Sequence, residues 1–133
     1  MSGETDLDRL VSSMAPKLTE PLYVFCTLQE ARYGDYRELE PIASFGEEEG
    51  LTLIIEKAAA ERAGLAFDGL FRRITLQVHS SLEAVGLTAT VSAALTEVGI
   101  SANVVAAYYH DHLFVPAERA EEALAVLSGL GNV

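Results

Sequence analysis

Two short stretches hold most of the side chains with chemical reach. Tyr108 to Pro116 reads YYHDHLFVP, two histidines flanking an aspartate beside two tyrosines. On an extended strand His110 and His112 share a face, so they could supply two metal ligands, with a third from Glu47 to Glu49 or from a partner chain. The second stretch, Ser80 to Leu87, reads SSLEAVGL and is plainer. Gly86 lets the backbone approach a ligand closely, and free N–H groups around Leu87 and Thr88 at the start of a helix form a cradle for a carboxylate. Glu83 could take an ammonium group, and Asn103 offers both a donor and an acceptor. Ser80, Ser81 and Thr88 are also suited simply to cap and turn.

The wider sequence narrows these readings. It has no HExxH, no paired-cysteine ligand set, no P-loop and no serine nucleophile elbow, which leaves a metal-dependent enzyme built on His110 and His112 as a remote alternative. Twenty acidic residues against nine basic ones give a net charge of -11 over 133 residues. That balance argues against nucleic acid, whose binding rests on clustered Lys and Arg. The lone Cys26 cannot form an internal disulfide, so a reducing cytoplasm is the expected compartment. The N-terminus MSGETDLDRL lacks the basic and apolar regions of a signal peptide, and no apolar run is long enough to span a bilayer.

The elements that must position these residues follow from periodicity. Leu7 to Met14 is predicted as a short amphipathic helix, and Leu22 to Leu28 as a strand. Gln29 to Pro41 is a polar connection, long for a compact domain, and a candidate lid or partner surface. Ile42–Phe45 and Leu51–Glu56 form a hairpin around GEEEG, and Lys57 to Ala63 is a helix ending at Gly64. Phe71 to His79 alternates, with Ile74, Leu76 and Val78 opposite Arg73, Thr75, Gln77 and His79. Leu87, Val91, Ala94, Leu95 and Val98 recur at helical spacing before Gly99. Ala102–Tyr109 and Leu113–Val115 make a second hairpin, and Pro116 opens a last helix with Glu118, Glu121 and Glu122 near its positive end.

Strand, turn, strand and Ala/Glu/Arg-rich helix therefore occur twice in the same order, an internal repeat that implies two similar subdomains. On this reading the YHDH segment is a hairpin turn. The boundaries are expected at 1–66 and 67–133, the two packed closely and sharing strands.

The run RRITLQVHSSLEAVGLTATVSAALTEVGISANVVAAYYHDHLFVP resembles the ACT domain, the small βαββαβ ligand-binding module of amino-acid metabolism. Almost the whole chain is similar to the stand-alone tandem ACT proteins of bacteria, and through them to aspartate kinase regulatory tails and the cytosolic arginine sensor of animals. The resemblance implies an α+β fold of tandem ferredoxin-like (βαββαβ) subdomains, with antiparallel sheets and helices on one face. It implies a regulatory module without catalysis or cofactor that binds a small molecule, an amino acid, where the loop before the helix meets a neighbouring ACT unit. The residues so assigned are Ser80, Ser81, Glu83, Val85, Gly86, Leu87 and Asn103. It also implies a homodimer or higher homo-oligomer. A second reading is an interaction module that regulates a separate metabolic enzyme without a ligand of its own, docking through Gln29 to Pro41.

Two departures from the family pattern stand out. The first half lacks a helix between its first two strands. The C-terminal half lacks a last strand, which the N-terminal half is expected to supply, for instance through Leu22 to Leu28.

Overall fold

The computed structural model of the chain describes residues 6–78 and 85–130. In order they form α1 (Leu7–Ser12), β1 (Pro16–Leu28), β2 (Ala43–Glu47), β3 (Gly50–Glu56), α2 (Lys57–Ala63), β4 (Phe71–Leu76), α3 (Leu87–Glu97), β5 (Asn103–Ala106), β6 (Asp111–Pro116) and α4 (Ala120–Leu130). Single 3-10 turns lie at Arg37–Leu39 and Ala117–Arg119. The chain makes two compact units, one from residues up to Glu20 together with those from Arg72 onward, the other Pro21–Phe71. β1 belongs to both, changing unit at Pro21.

In the larger unit the strand order is β1-β4-β6-β5. The backbone N–H of Gln77 donates to Met14 O at 2.7 Å, while Arg72 reaches Thr19 O at 3.1 Å, so β1 and β4 run antiparallel. The last strand that a βαββαβ unit needs is thus filled from the N-terminal half, as the sequence implied, but by Pro16–Glu20. The segment Leu22–Leu28 instead lies against β3, with Tyr23 opposite Glu56 and Leu28 opposite Leu51. The core of this unit is one apolar layer: Leu10 and Met14 from α1 and its exit, Ile74 and Leu76 from β4, and Leu113 and Val115 from β6. Onto it α3 places Leu87, Val91 and Leu95, and α4 places Ala120, Ala123 and Leu127. Those positions recur three or four apart, so each helix buries a single stripe.

The smaller unit has the order β1-β3-β2, all antiparallel. Val24, Cys26, Leu51, Leu53 and Ile55 pack under Ala59 and Ala60 of α2. Cys26 is free and buried, and burial pushes its thiol pKa up, which makes it a packing residue. No helix joins β1 to β2. The connection Gln29–Pro41 holds only the turn Arg37–Leu39, and its Tyr36 and Leu39 lie on the core where a helix would have packed. The element order strand, strand, helix occurs as β2-β3-α2 and again as β5-β6-α4, as the repeat required. Among the described residues no helix is long and apolar enough to cross a membrane.

Candidate functional site

The residues expected to bind a ligand fall around the start of α3. Ser80, Ser81 and Glu83 lie outside the described residues. Val85 is exposed, Gly86 is the residue before the helix, and Leu87 is buried in the core of the larger unit. Gly86 takes φ +104, a region that L side chains rarely adopt, and a Cβ there would come 3.1 Å from Leu7 Cδ2. Its lack of a side chain therefore serves the turn and the packing of α1. It has a second consequence at the helix terminus. A glycine cannot offer the oxygen with which Ser, Thr or Asp caps a helix, and among the described residues no side chain caps this one, while Thr90 N–H already bonds Gly86 O at 2.9 Å. Gly86 itself thus offers the N–H groups of the first turn no side-chain acceptor, in a helix of eleven residues whose dipole adds to their pull on an anion.

Asn103 opens β5 opposite Phe114 of β6. Its Nδ2 donates to Phe114 O at 3.2 Å, so one amide group braces the hairpin, and its side-chain oxygen has no partner among the described residues. The other half of α3 is tied down by Arg119, whose Nη2 and Nη1 donate to Val98 O and Gly99 O at 2.8 and 3.4 Å while Nε holds Glu122 at 2.8 Å. A cation at the negative end of the helix suits the dipole. It also fixes the end of α3 relative to the start of α4.

The histidine segment is built differently from the turn that the repeat suggested. Ala107–His110 form the turn, with Ala107 N–H donating to His110 O at 3.1 Å, and Asp111 and His112 are already in β6. β6 begins only after His110, whose Nδ1 is 3.5 Å from Val78 O, at the outer limit of a hydrogen bond. His112 pairs with Val105 in register, and its Nδ1 meets Thr75 Oγ1 of β4 at 2.9 Å. Among the described residues no group of three or more His, Cys, Asp or Glu could hold a metal ion.

Alternation in Phe71 to His79 placed Thr75 beside Arg73, away from Ile74 and Leu76. What the sequence could not show was the cross-strand partner, because pairing register between segments thirty-seven residues apart is not written in either one.

Burial sets the electrostatics of this strand. Asp111 is 9 % exposed, and desolvation pushes its carboxyl above the usual range, partly offset by the nearby His110. Desolvation, then the charges of Arg73 and His110, pull the His112 imidazole below its ordinary value. His112 is therefore held neutral in the folded state while the unfolded chain takes up a proton more readily. Stability must then fall as pH drops through the imidazole range, roughly from pH 7 to pH 5. Melting temperatures across that interval check this: His112→Gln should flatten the slope, and an unchanged slope would assign the loss to other groups.

Comparison with known proteins places the architecture. An ACT domain family model matches residues 2–72, and a second ACT domain model matches residues 72–129. Among solved structures, a Vibrio cholerae protein of unknown function, VC0802, a possible transport protein, is 53 % identical, with a TM-score of 0.86 over 94 % of this chain and 95 % of that one. The Agrobacterium tumefaciens protein Atu0741 is 18 % identical, with a TM-score of 0.72 over 87 % of each chain. The ligand-free regulatory subunit of aspartate kinase from Thermus thermophilus is 12 % identical, with a TM-score of 0.61 over 90 % of this chain and 98 % of that one, a likeness of fold alone. Among curated proteins none matches the sequence. Two family models, one covering more than half the residues and the other most of the rest, together with antiparallel sheets that carry their helices as the family does, establish that the chain belongs to the ACT domain family.

Proposed function

We propose that this protein is a regulatory module that binds an amino acid at the loop before α3, where that loop meets a neighbouring ACT unit, and that it has no catalytic activity of its own. The observation that carries the reading is the start of α3, where Gly86, the residue before the helix, has no side chain with which to cap the first-turn N–H groups. A ligand carboxylate is the natural acceptor for such a terminus. Glu83 would take the ammonium group, Ser80 and Ser81 would line the loop, and the side-chain oxygen of Asn103 would add an acceptor. Val85, exposed beside the helix start, would flank the ligand, and Leu87 would anchor the helix beneath it.

A ligand held this way acts by stabilising one arrangement of ACT units over another, and only by its difference in affinity between them. The chain is expected to act as a homodimer or higher homo-oligomer in a reducing cytoplasm. The edge strand β2, with Phe45 70 % exposed, is consistent with self-association.

A thermal-shift screen of amino acids tests the binding. At a hundred times its dissociation constant a ligand adds about 2.7 kcal/mol, enough to raise the melting temperature by several degrees. Glu83→Gln should abolish most of that rise. Stabilisation that survives in Glu83→Gln would remove Glu83 from the site, and a flat screen would contradict amino-acid binding.

A further inference from the structure

β6 reaches β4 through two histidines at one end of the larger unit, where β4 runs out and the chain enters the loop before α3. His112 Nδ1 meets Thr75 Oγ1 at 2.9 Å, and His110 Nδ1 lies 3.5 Å from Val78 O. On the other flank of β4, Gln77 N–H donates to Met14 O at 2.7 Å. The last residues before the loop are therefore held from both sides, and on the β6 side the side chains that hold them can titrate.

The surroundings of His112 decide which protonation state fits. By alternation along β4, Arg73 shares the face of Thr75, and Thr75 is itself 8 % exposed. From β5, His112 faces Val105, its partner in register, which carries no charge. From the preceding turn comes His110, whose charge adds to that of Arg73. Asp111 alternates to the opposite face with Leu113 and Val115, both in the apolar core, and so lies across the sheet from them. A neutral imidazole nitrogen can accept from the threonine hydroxyl or donate to it. A protonated ring can only donate, and it stands as a second cation beside Arg73 on a half-buried face. The folded strand pair thus favours the neutral ring, and burial with those two cations draws its pKa below the ordinary value.

We propose that His112 and Thr75 form a proton-sensitive clasp: uptake of a proton by His112 releases the end of β4 from β6 and loosens the chain where it enters the loop before α3. The neutral ring is the one that fits, so the clasp is closed above the imidazole range and opens as pH falls through it, roughly from pH 7 to pH 5. Its effect on binding rests on the reading given under the proposed function. Affinity at the start of α3 then falls over the same interval, by up to about tenfold per pH unit, the limit for one linked proton.

The test is amide hydrogen exchange on the ligand-free protein between pH 7 and pH 5, corrected for intrinsic rates. Protection at residues 75–78 and 111–113 should fall about tenfold or more toward acid, while that of Leu95 in α3 and Ile54 in β3 holds. His112→Gln, whose amide can still bond the threonine hydroxyl without titrating, should remove the change. Thr75→Val should show the low protection already at pH 7. Titration with glycine, the smallest molecule that carries both a carboxylate and an ammonium group, reads the coupling through the amides of Gly86 and Leu87. Its dissociation constant should rise toward acid in the parent and stay level in His112→Gln. The clasp is overturned by protection that ignores pH, by the same loss in His112→Gln, or by a loss shared equally with Leu95 and Ile54, which would be global unfolding. An open clasp with a level glycine constant overturns the coupling. Glycine that leaves Gly86 and Leu87 unmoved at pH 7 counts against the binding reading, while exchange still decides the clasp.

Discussion

Gly50→Ala is expected to be the most destabilising alanine replacement among the glycines of the described residues. Gly50 opens β3 at φ +143, and a Cβ built on it would stand 2.5 Å from Leu28 O and 2.8 Å from Gln29 Cα. Both neighbours are backbone, so no flexible side chain can swing away. The conformational strain is worth about 1–3 kcal/mol. Overpacking against fixed atoms adds about 1–3 kcal/mol more. The combined loss of roughly 2–6 kcal/mol should appear as a fall in the denaturant midpoint without a change in slope. The register at this point pairs Gly50 with Glu47 and Leu51 with both Leu28 and Gly46, so a shift of the backbone would also disturb the core around Leu51. A midpoint within error of the parent would show that the β1–β3 pairing is looser than described.

Leu127→Ala is the counterpart in the larger unit. Leu127 is fully buried on α4, in the same cluster as Leu95 and Val91 of α3 and Leu113 and Val115 of β6. Truncation removes three methyl or methylene-type groups and leaves a cavity among neighbours that are themselves close-packed, which costs about 2–5 kcal/mol. Leu127→Met keeps most of the volume and should cost less than about 1.5 kcal/mol. Equilibrium unfolding of the two variants side by side checks the ordering. If alanine were tolerated as well as methionine, α4 would not be part of the core. The position matters for function because α3, whose first turn carries the proposed carboxylate cradle, rests on that same layer.

Much of this architecture was legible because local chemistry and tertiary packing agree. The helix Lys57–Ala63 was bounded by its sequence alone, as Ala-rich spacing ends at a glycine. Leu87, Val91 and Leu95 announced α3 by their period, and the loop without a helix between β1 and β2 was visible in its polar, aperiodic composition. The early start of β1 was not. Pro16–Glu20 carries Lys17, Thr19 and Glu20 around a single core-facing Leu18, and prolines stand at Pro16 and Pro21. Such a segment reads as a connection. Its strand character comes from β4, more than fifty residues away, through contacts such as Thr19 Oγ1 to Arg73 O at 3.2 Å. Pro21, which has no N–H to give, marks the place where β1 passes from one unit to the other.

The sites were legible to different degrees for similar reasons. Gly86 before an apolar helical stripe marked the start of a helix, and it stands at φ +104 as the residue before α3. The histidines drew attention by residue type, yet the partner that holds His112 is a threonine on another strand.

The measurement that bears most directly on the central claim is an amide NMR titration of the protein with whichever amino acid stabilises it most. The account predicts that the amides of Gly86, Leu87 and Thr88, at the first turn of α3, shift furthest and saturate with the same dissociation constant as the calorimetric signal. Saturable binding that leaves those three amides unmoved, or the absence of any amino acid that moves them, would contradict it.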